Sequence, residues 1–138
     1  MTNEITVPAN TANIAVVTDF VEKALVSLRC PIHILIQLKI AIDELFGNIA
    51  RYAYQHSEGA ATVRVDVLQD PLRVTLTFID KGIPYDPTSA EEPDISLPAH
   101  MRPIGGLGIF MVRKSMDDIS YEYKDGQNIL TVLKKVRP

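Results

Sequence analysis

The chain has 138 residues, 46% hydrophobic and 22% charged, with a net charge of −3. That length fits one domain with a core of its own, and the apolar content excludes a chain disordered throughout. Cys30 is the single cysteine, which excludes a disulfide framework, and the slight negative charge gives no broad electropositive face for nucleic acid.

The start, Met1-Thr2-Asn3-Glu4-Ile5, has no basic run followed by an apolar stretch, so no secretion signal is expected. No apolar run approaches the roughly 18 residues of a membrane span. A cytoplasmic location is the resulting expectation, with no direct contact to membrane or nucleic acid.

Ile5 and Val7 predict a short first strand. Ile14, Val17, Val21, Ala24 and Leu28 recur at helical spacing, with Thr18, Asp19, Glu22 and Ser27 opposite. Pro31 ends that helix and can open the next, predicted over about Ile32 to Gln55 and more apolar throughout. Val63, Val65 and Val67 alternate as in a half-buried strand. After an Asp70-Pro71 turn, Val74, Leu76 and Phe78 form another, ending at Asp80.

Five of the nine prolines then fall between Pro84 and Pro103, in a stretch without periodicity. Structureless loops longer than about 12–15 residues are uncommon in domains, so residues 86–104 are expected to be a functional lid or a disordered insert. Gly106 to Met116 reads as a third helix. Ile119, Tyr121 and Tyr123 begin a strand, Asp125-Gly126 signals a hairpin, and Ile129 to Val136 closes the chain. The expected fold is α+β over residues 1–138 as a single domain. It is a two-layer sandwich of a mixed, mostly antiparallel sheet with three main helices on one face and a mobile lid loop.

Three places carry possible chemistry. On the second helix, Gln37, Glu44, Asn48, Arg51 and Gln55 fall on one stripe at 100° per residue, with Glu44 and Asn48 one turn apart. The stripe reads either as a solvated face or, given apolar Ile40, Ala41, Leu45 and Ile49 beside it, as a pocket wall. Second, Asp80-Lys81-Gly82 ends a strand, either as a plain turn or as an aspartate placed to accept a hydrogen bond from a ligand amine. Third, Gly105-Gly106-Leu107-Gly108 precedes a helix, where glycines let a phosphate approach unpaired N–H groups; a hinge is the competing reading. Each pattern is weak alone.

Taken in order, Glu44-x-x-x-Asn48, Asp80-x-Gly82, the proline-rich stretch and Gly105-Gly106-Leu107-Gly108 resemble the nucleotide boxes of the ATPase superfamily shared by gyrase, heat-shock chaperones, histidine kinases and mismatch-repair ATPases. Pro84-Tyr85-Asp86-Pro87 and the run from Gly108 to Asp118 narrow the resemblance to the stand-alone anti-sigma factor serine kinases of bacterial partner switching. It covers essentially the whole chain. Many superfamily members carry a second glycine where this chain has Pro84, a position at which anti-sigma kinases vary.

The resemblance implies ATP and Mg²⁺ as ligands. Glu44 would be the catalytic base, and Asn48 would bind Mg²⁺ and so the nucleotide. Asp80 would accept from the adenine amine, with Gly82 giving the base room. Gly105, Gly106 and Gly108 would line the phosphates, with Leu107 inside that nucleotide-binding run. The implied activity is ATP-dependent protein-serine phosphorylation of an anti-sigma factor antagonist by a homodimer that sequesters a sigma factor. The alternatives are a nucleotide-binding module that only sequesters a partner, and an ATPase fragment. Arg102, just before the glycines, and Arg51, on the helix stripe, could add positive charge near the phosphates; a solvated charge is the competing reading and, for Arg102, the favoured one. Cys30 is expected to be a small buried hydrophobe, and Tyr52 and Tyr54 to pack.

Overall fold

The computed structural model describes residues 2–55, 57–89 and 106–136. The chain order is β1 (Thr2–Pro8), α1 (Ile14–Leu25), α2 (Ile32–Asn48), β2 (Ala60–Leu68), β3 (Arg73–Asp80), α3 (Gly106–Ser115), β4 (Asp118–Lys124) and β5 (Gln127–Lys135). This is the expected element order. The strands form one sheet, β1-β2-β3-β5-β4. Every pairing among the described residues is antiparallel rather than mixed, because tight turns join β2 to β3 and β4 to β5. At Asp125-Gly126 both residues have positive φ, 54° and 76°, which suits a two-residue hairpin.

Register decides which residues face the helices. Ile5, Val63, Phe78, Leu130 and Tyr121 form one row across all five strands. The next row toward the strand ends holds Val7, Ala61, Asp80, Asn128 and Tyr123. Strand side chains alternate between faces, so Asp80 and Asn128 lie on the same face as the apolar core.

The helices cover that face. Val17, Val21 and Leu25 of α1 are buried at successive turns. α2 packs between α1 and α3, which is why its apolar set is wider: Ile34, Leu38, Ala41, Ile42, Leu45 and Phe46 are all buried. Phe46 is fully buried, and burying such a side chain contributes about 1.5–3 kcal/mol. Ile109, Val112 and Met116 anchor α3 to the same core. Cys30 is half-buried against it, as a small hydrophobe.

Two boundaries differ from expectation. α1 ends at Leu25 and continues only as a 3-10 turn, Val26–Leu28. α2 does not run regularly to Gln55; after Asn48 the chain widens into a π-helical turn, Ile49–Ala53, and Gln55 stands outside it with φ 47°. Of the expected lid, Pro87–Ser89 form a 3-10 turn, with Asp86 Oδ1 accepting from the Thr88 backbone at 2.8 Å. Residues 90–105, including Gly105 and Arg102, lie outside the described residues.

Candidate functional site

Asp80 closes β3 and is 5% exposed. Its Oδ1 accepts from the Gly82 N–H at 2.8 Å and from Asn128 Nδ2 at 3.0 Å. The first bond is an Asx turn, so the turn reading of Asp80-Lys81-Gly82 holds. The second comes from β5 and is absent from the sequence reading. Asn128 also donates to Ile83 O at 2.9 Å, and its Oδ1 accepts from the Tyr85 N–H at 3.1 Å and from the Tyr121 hydroxyl. Its side-chain amide is thereby oriented by donors on one side and acceptors on the other. Burial pushes the Tyr121 phenol above its ordinary value, and the Asp86 and Asp80 carboxylates act in the same direction. It stays a donor at neutral pH.

The far side of the turn is held by the end of α2. Ile83 N–H donates to Ala53 O at 2.9 Å, satisfying a carbonyl left open where the helix ends. A Cβ at Gly82 would lie 2.2 Å from that same oxygen. The obstruction is backbone, so packing within the chain already requires glycine there. Lys81 N–H donates to the Tyr54 hydroxyl at 2.9 Å, and that hydroxyl donates to Ala60 O. Tyr54 therefore bridges turn and sheet through its hydroxyl, a role beyond the packing expected of it.

The π-helical turn changes what α2 presents. Arg51, Tyr52, Gln55 and Ile83 line an open cleft of about 510 Å³. Tyr52 is 55% exposed, so it forms cleft wall and does not pack as expected. Its sequence position gave no such signal, because a uniform 100° step places it off the stripe. A π-turn has about five residues per hydrogen-bonded ring instead of four and often marks functional sites. Of the stripe, Arg51 and Gln55 reach this cleft. Gln37 does not line it, and its Oε1 is buried without a hydrogen-bond partner.

Glu44 and Asn48 are half-buried, one turn apart on α2. A Cβ at Gly108 would lie 2.0 Å from Glu44 Cδ and Oε1. The Glu44 carboxylate thus rests against the first turn of α3, at the positive end of its dipole, an interaction of about 0.3–1 kcal/mol. Gly106 and Leu107 open the same helix. The first and third of the patterns read from the sequence meet at this contact. Among the described residues, no three His, Cys, Asp or Glu gather as a metal site.

The family described as histidine kinase-like ATPase domain matches residues 7–134. The chain is 31% identical over 97 residues to the serine-protein kinase RsbW of Bacillus cereus strain G9842, covering 67% of this chain and 59% of that protein. It is 30% identical over 137 residues to the serine/threonine-protein kinase BtrW of Bordetella bronchiseptica, covering 99% and 94%. In structure it is similar to the RsbU and RsbW domains of Rv1364c from Mycobacterium tuberculosis. That match has a TM-score of 0.69 and 18% identity, covering 100% of this chain and 33% of that one. No helix among the described residues is long and apolar enough to cross a membrane. The chain belongs to the histidine kinase-like ATPase domain family.

Proposed function

We propose that this chain is an ATP-dependent protein-serine kinase. On this reading it is a bacterial anti-sigma factor that sequesters a sigma factor and phosphorylates that factor's antagonist. It works in the cytoplasm as a homodimer of one nucleotide-binding domain, residues 1–138, without contact of its own to nucleic acid or membrane. The observation that carries the reading is the Glu44 carboxylate resting on the glycine start of α3, because a sequestering module needs no base beside a phosphate-binding helix end. The kinase names of the relatives support it.

Asp80 would accept from the adenine amine. Two N–H donors hold its Oδ1 in place, and a carboxyl group so oriented suits a base edge that donates. Gly105, Gly106, Leu107 and Gly108 would line the phosphates, with Arg51 adding positive charge from the cleft wall. The donor chemistry suits Mg²⁺: Asn48, on α2, would supply a single hard oxygen. This suits an ion that keeps waters and substrate phosphates as its other ligands. Bound there, Mg²⁺ would neutralise phosphate charge. Glu44 takes the proton from the antagonist's serine hydroxyl as that oxygen bonds to the γ-phosphorus. The bond from the γ-phosphorus to its bridging oxygen breaks, and ADP leaves.

The test is incubation of the purified chain with labelled ATP, Mg²⁺ and candidate antagonists, with phosphoserine read by mass spectrometry. Transfer to a serine of a protein that competes with a bound sigma factor is the expected result. ATP binding with no transfer to any bound partner would favour the sequestering module instead.

A further inference from the structure

Gly108 is the third residue of α3, and the sequence gives it two ordinary reasons to be glycine. The first is backbone conformation. Among the described residues, Gly126 is the glycine with positive φ; Gly108 is not. The second is close approach of a ligand to the backbone, which is a property of the helix start as a whole. The structure adds a third reason. A methyl group at Gly108 would lie 2.0 Å from Glu44 Cδ and Oε1 and 2.4 Å from Oε2. The carboxylate fills the volume that any other side chain would claim.

What lies in the way decides the consequence. At Gly82 the obstructing atom is the Ala53 backbone oxygen, which cannot yield without moving the end of α2. At Gly108 it is the tip of a flexible side chain on a half-buried residue, and that tip can rotate away. Alanine is also a better helix former than glycine. A side chain at position 108 should therefore leave the fold intact and turn Glu44 out of its place.

We infer that Gly108 is a positioning residue for Glu44: the absence of its side chain fixes where the carboxylate sits and ties that carboxylate to the first turn of α3. The inference rests on the reading of Glu44 as the base only for its effect on phosphoryl transfer; the contact itself is tested separately. A shift of about 1 Å in a reacting group can cost on the order of 10²-fold in rate.

The experiment is a double-mutant cycle with a spectroscopic readout. Gly108→Ala is expected to melt at or above the wild-type temperature and to lower kcat by roughly 10–100-fold, a loss in kcat that stands apart from any rise in the KM for ATP caused by its place beside the phosphates. The same substitution in a Glu44→Asp background should cost little further, because a carboxylate one methylene shorter leaves room for the methyl group; such non-additivity marks residues in contact. The ¹³C resonance of the Glu44 carboxyl, assigned by its loss in Glu44→Gln, should move in Gly108→Ala without nucleotide present. An unmoved resonance would overturn the inference whatever the rates. So would loss of the fold, or a defect confined to KM and undiminished in the Glu44→Asp background, since that pattern belongs to phosphate approach alone. If Glu44→Gln transfers phosphate at the wild-type rate, the base reading fails, and the resonance still decides the contact.

Discussion

Asn128 Nδ2 donates to Asp80 Oδ1 across 3.0 Å, although 48 residues separate the two in sequence. They are register partners on β5 and β3, so the sheet itself sets their distance. The same amide donates to Ile83 O and accepts from Tyr85 N–H. One side chain therefore fixes both the carboxylate and the segment that follows it.

Asn128→Ala should weaken ATP binding by about 1.5–3 kcal/mol, the cost of a hydrogen bond to a charged group, or roughly 10–150-fold. Asn128→Asp sets two carboxylates side by side and should bind more weakly still at neutral pH. Its affinity should recover in part as the pH falls and one of them takes a proton. Calorimetric titration of both variants with ATP at two pH values checks this; equal affinity in wild type and Asn128→Ala would remove Asn128 from the site.

Tyr121 gives a stability prediction with a definite sign. Burial raises its folded-state pKa above 10.0, the ordinary phenol value. A group whose pKa is raised on folding contributes stability that is fully present below the unfolded pKa and lost as pH rises through the folded one. The bond to Asn128 should therefore hold at neutral pH and fail only above about 10, where the phenol ionises. Tyr121→Phe should be less stable than wild type near neutrality, and the gap should narrow above pH 10. Paired denaturant titrations across that range measure the gap; one that does not change with pH would deny the phenol this part.

Tyr54→Phe should cost about 1 kcal/mol, since it removes one hydroxyl that serves Ala60 O and Lys81 N–H and keeps the ring. The ring itself lies over Gly59, where a Cβ would come within 2.3 Å of it. Urea unfolding at fixed pH reads the difference, and no loss would mean that water replaces the bridge at no cost.

What the sequence revealed follows from range. Strand alternation at Val63 and Val65 and helical spacing at Val17 and Val21 are local signals, and the structure buries all four; Ala24 and Leu28, read on the same helix face, are half-buried, and Leu25 is buried between them. Asn128 was invisible because its partner is far away in the chain. The available signal was parity: positions 128, 130 and 132 share a strand face, Leu130 and Val132 are apolar, and a polar residue in that series needs a buried partner. The π-helical turn was missed for a different reason. Nothing in Ile49-Ala50-Arg51-Tyr52-Ala53 departs from helical composition. The widening leaves no mark on composition, and Tyr52, within it, lines the cleft. The Glu44–Gly108 contact joins two patterns read separately, and only the packing of α3 on α2 brings them together.

The last prediction separates the two neighbours on α2. Glu44 and Asn48 sit one turn apart, yet the proposed kinase gives them different work: Glu44 acts on the incoming hydroxyl, Asn48 on the ion and so on the nucleotide. Glu44→Gln keeps size and hydrogen bonding and removes basicity. It should leave ATP affinity nearly intact and slow phosphoryl transfer by roughly 10²–10⁴-fold, the usual range for a general base. Asn48→Ala should lose both Mg²⁺-dependent affinity and transfer. Binding of the sequestered sigma factor should survive Glu44→Gln, leaving a variant that holds its partner and no longer inactivates the antagonist by phosphorylating it. Calorimetry with ATP, with and without Mg²⁺, set beside single-turnover transfer assays, distinguishes the two variants. A wild-type transfer rate in Glu44→Gln would show that another group takes the proton, and undiminished Mg²⁺ dependence in Asn48→Ala would place the ion elsewhere.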